Sequence, residues 1–304
     1  MDAWIIFSVA AAAFQTLRFM LQKQLSMGEL STGGATFSRF FYSAPIIVTL
    51  TTAYVFYRGE PMPALSGAFW AFALIGALTQ ILATWCVVAL FAQRNFAVGI
   101  TFKKTEVIQT ALFGLVILGD QVSTVGWSAI LIGLVGVLIL SDAPKDTATG
   151  EGSIFNRFWN KAAGLGIISG AMFAISAVGF RGATLEIASA DPLMRSSVTL
   201  AIATVAQTLM MGTWLAWREK GEIGRVIGAR RTAIWMGITG MSGSLCWFTA
   251  FTLQSAAYVF AVGQVEVIFS LAASYHFFKE KMTKKEMAGI TFLTASILGL
   301  ILLS

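Results

Sequence analysis

The chain has 304 residues, of which 57% are hydrophobic and 12% charged, and its mean hydropathy is +0.76. So few charges cannot cover the surface of a soluble protein of this length, which excludes a water-soluble globular fold. The formal net charge of +6 comes from basic residues that lie mostly between apolar runs, where they indicate membrane topology rather than nucleic-acid binding.

Apolar runs of about 20 residues, each long enough to cross a hydrocarbon core roughly 30 Å thick, follow one another along the chain. The first five predicted spans are 3–22, 35–57, 67–91, 96–118 and 125–141. The next five predicted spans are 162–183, 193–217, 232–254, 257–278 and 286–303. The sequence therefore predicts an all-α polytopic membrane protein with ten transmembrane helices.

One polar segment divides the spans into two groups of five. It has the sequence "SDAPKDTATGEGSIFNRFWNK" and is the longest charged stretch in the chain. We therefore expect a first five-helix repeat in residues 1–141, a polar linker loop in residues 142–161 and a second five-helix repeat in residues 162–304.

The two groups of spans resemble each other at an offset of 160 residues. This offset aligns Cys86 with Cys246, Glu106 with Glu266, and Asp120 with Glu280. Because each repeat has an odd number of spans, the two halves must cross the membrane in opposite directions. Inverted repeats with a polar site between them are typical of secondary transporters.

Ten spans, a five-helix repeat and an acidic residue in the turn after the fourth span of each half resemble the EamA-type drug/metabolite transporter superfamily. The turns are "GDQVST" at Asp120 and "KEKMTK" at Glu280. The resemblance implies transport of small organic molecules through a cavity lined mainly by the first four helices of each half. Members often have a proline midway along the fourth span, where this chain has Glu106 and Glu266, so no substrate is carried over.

Two glutamates lie near the middle of predicted spans. At a rise of 1.5 Å per residue, Glu106 is about 15 Å into its span and Glu266 about 14 Å, too deep for either side chain to reach water. Each is either a carboxyl that locks helices together or part of a polar site, and their equivalent positions favour the site. Only Gln264 and Gly263 flank Glu266 in the sequence, so we expect burial to dominate there and predict a proton-coupling role.

Two lysines precede Glu106. Lys103 is three residues away and shares a helical face with it, whereas Lys104 points about 100° away and is expected to face the cavity independently. Either lysine could instead extend its long stem to the membrane surface. With Glu106, the lysines are predicted to form an anion clamp combined with a carboxyl.

The other predicted site residues are polar or aromatic side chains inside spans. Gln15 and Arg18 lie on one polar face of the first span, although an arginine there could also extend to the interface. Arg39 and Arg195 begin the second span of each half, either in the cavity or as interface anchors. The predicted substrate-binding residues are Gln15, Arg18, Arg39, Gln80, Trp85, Lys103, Lys104, Glu106, Arg195 and Trp247.

The sequence disfavours an intramembrane enzyme, because its only histidine, His276, has no partners for a triad or a metal cluster. We expect instead a bacterial inner-membrane transporter of an anionic or zwitterionic metabolite, such as an amino acid or organic acid, by alternating access. Proton coupling or exchange would drive it, with no cofactor, and its partners would be the substrate and membrane lipids. A lipid or polyprenyl-carrier flippase is the alternative.

Overall fold

The computed structural model describes residues 2–28, 30–91, 103–140, 161–269 and 284–303, and all regular elements within these ranges are α-helices. The first-half helices are α1 (Ala3–Gly28), α2 (Thr32–Arg58), α3 (Gly67–Phe91), α4 (Glu106–Leu118) and α5 (Thr124–Leu140). The second-half helices are α6 (Lys161–Leu185), α7 (Pro192–Arg218), α8 (Glu222–Gly228), α9 (Arg230–Leu253), α10 (Ala256–Gly263) and α11 (Lys284–Leu303).

The helices begin and end where the sequence provides capping groups. The Ser31 hydroxyl accepts a hydrogen bond from the Gly34 amide at 2.9 Å at the start of α2, and Asp191 caps α7 in the same way just before Pro192. Gly119 ends α4 with a φ of +71°, which a residue without Cβ adopts at low cost. These caps satisfy backbone groups that lipid could not solvate.

The chain is a multi-pass helical membrane protein by the length and composition of its helices. Within the described residues, five helices (α1, α2, α3, α6 and α7) contain stretches long and apolar enough to cross a bilayer. Shorter apolar helices occupy Glu106–Leu118, Thr124–Ile139, Ala256–Phe269 and Met287–Leu300.

The helices pack in a pattern that is preserved when the two halves are exchanged. The α3 helix packs on α6 and α1 packs on α9, while α2 contacts α7, α4 contacts α10 and α5 contacts α11. Small residues allow these close approaches, since a Cβ on Gly179 would lie 3.2 Å from the Gly76 Cα atom. The interface between the halves therefore runs through the centre of the molecule.

Several predicted features lie wholly or partly outside the described residues. These are the start of the span 96–118, the end of the span 257–278, most of the linker 142–161, and the side chains of His276 and Glu280. Within the described ranges, the short helix α8 between α7 and α9 was not predicted, because the segment "WREKGEIGRVIGARR" reads as a charged loop.

Candidate functional site

A polar cavity lies between the two halves, enclosed by α1, α2, α3, α4, α6, α9, α10 and the segment that follows α10. Its volume is about 30 Å³. Eight of the residues predicted from the sequence line it: Gln15, Arg18, Arg39, Gln80, Lys103, Glu106, Trp247 and Glu266. The cavity is therefore narrow, and its polar side chains come from both halves.

The first charged pair at the cavity is formed within one half. The Lys103 ammonium donates to the Glu106 carboxylate at 2.9 Å, and both side chains are 4–5% exposed. The same ammonium lies 4.9 Å from the centre of the Phe173 ring. Lys103 therefore does not extend to the membrane surface, and its charge is balanced by its neighbour on the same helical face.

The second charged pair crosses between the halves. The Lys104 ammonium lies 3.5 Å from a carboxylate oxygen of Glu266, which also accepts a 2.7 Å hydrogen bond from the Gln15 amide. Two expectations were wrong here: Lys104 does not line the main cavity independently, and Glu266 is not flanked only by neutral groups. This pair could not be predicted from the sequence, because its two residues are 162 positions apart.

Two buried arginines contact the same place on α9. A Cβ built on Gly240 would lie 3.2 Å from the Arg39 side chain and 3.4 Å from that of Arg18, so the two guanidinium stems are neighbours. Arg18 is 2% exposed and Arg39 is 5% exposed. Their charges also act on one another, which makes the pair unfavourable in a low-dielectric site unless an anion is present.

Neutral groups bind Arg39, and Arg18 keeps an unused donor. Arg39 donates to the hydroxyl oxygens of Thr84 at 3.3 Å and Ser244 at 3.0 Å. The Arg18 Nη1 atom is buried and has no hydrogen-bond partner among the described residues. A buried cationic donor without a partner is costly, and a carboxylate or phosphate oxygen would satisfy it.

Both glutamates lie within two residues after an interruption of a helix. Lys104 and Thr105 form a turn before α4, and a turn at Gln264 ends α10 before residues 265–269 resume the helix. Around this second turn the Gln264 amide bonds to Ala261 and the Val267 amide to Gln264, both with 3₁₀ spacing. Helices broken at equivalent points near the centre are the usual setting of substrate sites in transporters with inverted repeats.

Besides Lys104, two predicted site residues lie outside this cavity. The Trp85 ring packs edge-on against Trp214 with their centres 4.7 Å apart, and Arg195 donates to the Thr184 carbonyl at 2.7 Å. Each is separated from the cavity lining. Trp85 was predicted wrongly, because its position on α3 directs its ring toward Trp214 and not toward the cavity. Arg195 was predicted wrongly, because it lies in the first turn of α7.

Sequence reasoning missed the aromatic part of the lining. Among the described residues these rings belong to Phe173, Phe180, Phe248, Phe251 and Phe260, in addition to Trp247. With 24 phenylalanines in the chain, no single one stands out without the fold.

The two halves are also joined beyond the aromatic lining, at the end of the helices where α4 meets α5. Arg181 forms a two-point ion pair with Asp120 at 2.7 and 3.0 Å and donates to the carbonyl oxygens of Phe251 and Gln254. Nearby, the Tyr258 hydroxyl accepts a 3.1 Å hydrogen bond from the Ser123 amide. These contacts hold the two halves together at this end.

Asp191, at the same end, links α7 to α2. Its carboxylate accepts a 2.5 Å hydrogen bond from the Tyr54 hydroxyl and lies 4.0 Å from Arg58. Burial alone would raise the pKa of Asp191, but the Tyr54 hydroxyl, two backbone amides and the Arg58 charge together lower it. Asp191 therefore favours its ionised form, which holds the two helices together.

Comparison with known proteins identifies the family. The model of the EamA-like transporter family matches residues 2–142 and again residues 160–302. The chain belongs to the EamA-like transporter family. The two matches to this EamA model agree with the repeat seen in the packing, and they identify a membrane transporter of small molecules.

A search of curated proteins finds no match to this EamA chain. A solved structure, described only as the crystal structure of a protein, has a TM-score of 0.72 with it at 13% identity, covering 99% of this chain and 96% of the other. At that identity the likeness shows the shared fold alone. Among the described residues, no group of three His, Cys, Asp or Glu side chains could hold a metal ion.

Proposed function

We propose that the chain is a secondary transporter of a small organic anion, which it carries across the membrane by alternating access. The observation that carries this proposal is the buried pair Arg18 and Arg39. Both side chains lie beside Gly240, Arg39 donates to two hydroxyl groups, and the Arg18 Nη1 atom has no hydrogen-bond partner among the described residues. Arginine binds carboxylate and phosphate with two parallel hydrogen bonds, and Arg18 has a free donor for one.

The charges around the cavity support an anion over a cation. The described side chains at and beside it include four cations and two carboxylates: Arg18, Arg39, Lys103, Lys104, Glu106 and Glu266. Each carboxylate is already paired with a lysine, so two positive charges remain in excess. A monoanion lowers this excess positive charge by one. A zwitterion leaves the net charge unchanged and can only place its negative group close to the arginines.

The proposed architecture is ten transmembrane helices in two inverted five-helix repeats, 1–141 and 162–304, joined by a linker loop. Two observations support this architecture. The helix packing is preserved when the two halves are exchanged, and the helices are broken before Glu106 and Glu266. Alternating access then requires the contacts at one mouth, such as Arg181 with Asp120, to open while others close. We further propose a bacterial inner membrane as its location.

Protons are the proposed coupling ion, with Glu266 as the group that binds them. An anion on the arginine pair adds negative charge near Glu266, which disfavours its ionised form and promotes proton uptake. Because linkage is reciprocal, a proton on Glu266 also promotes anion binding. Exchange of one anion for another needs no net proton movement and would proceed without this residue's titration.

A flippase for a lipid or polyprenyl-carrier phosphate is the second candidate. A phosphate would also fit the arginine pair, and an apolar groove lined by Leu209, Met210, Thr213, Trp214 and Trp217 lies on the outer face of α7. The groove and the cavity have no lining residue in common. A head group held in the cavity would therefore need a path that these residues do not provide, and we favour a soluble anion.

The test compares Arg18→Gln with the control Arg218→Gln, which changes an exposed arginine at the end of α7. Purified protein is screened by thermal unfolding against organic acids, phosphates, amino acids, amines and phospholipid head groups. We expect stabilisation by an organic acid that falls about 10- to 100-fold in affinity in Arg18→Gln, since hydrogen bonds to charged groups contribute about 1.5–3 kcal/mol. Stabilisation by amines alone, or an unchanged Arg18→Gln, contradicts the proposal.

A further inference from the structure

The lining of the cavity combines two kinds of side chain. Charged groups come from Arg18, Arg39, Lys103, Glu106 and Glu266. Six aromatic rings line the same cavity, from Phe173, Phe180, Trp247, Phe248, Phe251 and Phe260. A small hydrophilic anion would contact the charged groups and would leave water against apolar rings, which is unfavourable.

Three of the rings form an ordered wall. Trp247 and Phe251 lie nearly parallel, with their planes 16° apart and their centres 5.9 Å apart. Phe260 stands edge-on to both at 83°, with its centre 5.3 and 5.4 Å from theirs. It is partly exposed whereas Trp247 and Phe251 are buried, so its ring offers the surface that an incoming ring would contact.

The position of Trp247 in this wall is fixed from two directions. Its indole N–H donates to the Gln15 side chain at 3.2 Å, and the same Gln15 binds Glu266. On its other edge the indole lies against Gly263, where an added Cβ would clash with the ring. The wall is therefore preorganised, and hydrogen bonds through Gln15 connect it to Glu266.

From this arrangement we infer that the transported anion carries an aromatic ring, with its acid group on Arg18 and Arg39 and its ring on Phe260 and Trp247. This inference rests on the proposed function, because it adds a second binding feature to the same cavity. Rings pack edge-to-face or offset against other rings, and such pairs contribute beyond the area that they bury. A substrate of this class would accept a hydrogen bond from the unpartnered Arg18 donor and would also pack its ring against the aromatic wall.

The experiment measures the binding of four probes to the purified full chain: benzoate, cyclohexanecarboxylate, acetate and benzylamine. We expect benzoate to bind at least about tenfold more tightly than acetate through ring burial, and about two- to tenfold more tightly than cyclohexanecarboxylate through ring–ring contact. Equal affinities for benzoate and cyclohexanecarboxylate, or for benzoate and acetate, overturn the aromatic inference while leaving an anion transporter. Binding of benzylamine in place of the acids overturns the proposed function itself.

Two variants locate the ring contact. Phe260→Leu should reduce the preference for benzoate over acetate several-fold, whereas the control Phe56→Leu, on the exposed surface of α2, should leave that preference unchanged. Gly263→Ala, which displaces the indole of Trp247, tests the same wall without removing a ring. If both variants fold and keep the full preference for benzoate, the wall does not bind the ring and the inference is wrong.

Discussion

The Lys103–Glu106 pair makes a prediction that can be worked out from its geometry. Glu106→Gln keeps the shape of the side chain but removes the charge that binds the Lys103 ammonium at 2.9 Å. Both side chains are at most 5% exposed, so Lys103 would be left buried without a counter-charge. Removing one partner of a buried pair typically costs about 3–5 kcal/mol. The contact of Lys103 with Phe173 is already present in the unchanged chain, so it does not offset this cost.

We therefore expect Glu106→Gln to lower the free energy of unfolding by roughly 3–5 kcal/mol, measured by tryptophan fluorescence in detergent with increasing denaturant. The double variant Lys103→Met/Glu106→Gln should recover most of this loss, since no unpaired charge remains. The control Glu186→Gln, an exposed carboxyl bonded to Ser66, should change the free energy by less than about 0.5 kcal/mol.

The same variant should also lose substrate transport, both accumulation and exchange, because Glu106 lies in the cavity lining. Equal stability of Glu106→Gln and the unchanged chain would refute the reasoning, because it would mean that Lys103 finds water or another partner. A double variant no more stable than the single one would refute it as well, since the loss would then not come from the unpaired ammonium.

Three further predictions concern the carboxylates of Glu266, Asp120 and Asp191. Glu266→Gln should abolish accumulation driven by a pH gradient in proteoliposomes but keep anion exchange; accumulation that survives removes the coupling role. Asp120→Asn should lower the thermal unfolding temperature more than the double variant Arg181→Met/Asp120→Asn does, because the single change leaves Arg181 without its counter-charge. Equal decreases in the two variants would contradict this prediction. Asp191→Asn should destabilise the chain at neutral pH, with the difference shrinking as pH falls through the lowered pKa of Asp191; a difference independent of pH would show that the ionised carboxylate is not responsible.

The helices and the repeat could be predicted from the sequence because lipid imposes a strong length and composition rule. Most charged cavity residues could be predicted for a related reason: a charge near the middle of an apolar span is expensive, so it stands out. Glu106 and Glu266 were found in this way, and the offset of 160 residues placed them in equivalent positions.

The partners of these charges could not be predicted, because pairing depends on which helices meet. Lys104 and Glu266 are in contact across 162 residues of sequence, and no local spacing indicates it. Trp85 and Trp247 flank equivalent cysteines, yet only Trp247 faces the cavity, since a shift of two residues turns a side chain by about 200° around a helix. The aromatic wall was missed because phenylalanine is ordinary in an apolar span.

Counterflow in proteoliposomes tests most directly whether the buried arginine pair carries an anion. Vesicles loaded with unlabelled benzoate are placed in labelled benzoate without any ion gradient, and uptake is compared for the unchanged chain, Arg39→Gln and the exposed control Arg218→Gln. The account predicts rapid uptake that requires internal benzoate, that persists in Arg218→Gln and that is lost in Arg39→Gln. Undiminished counterflow in Arg39→Gln, or counterflow of benzylamine and of no acid, would contradict it.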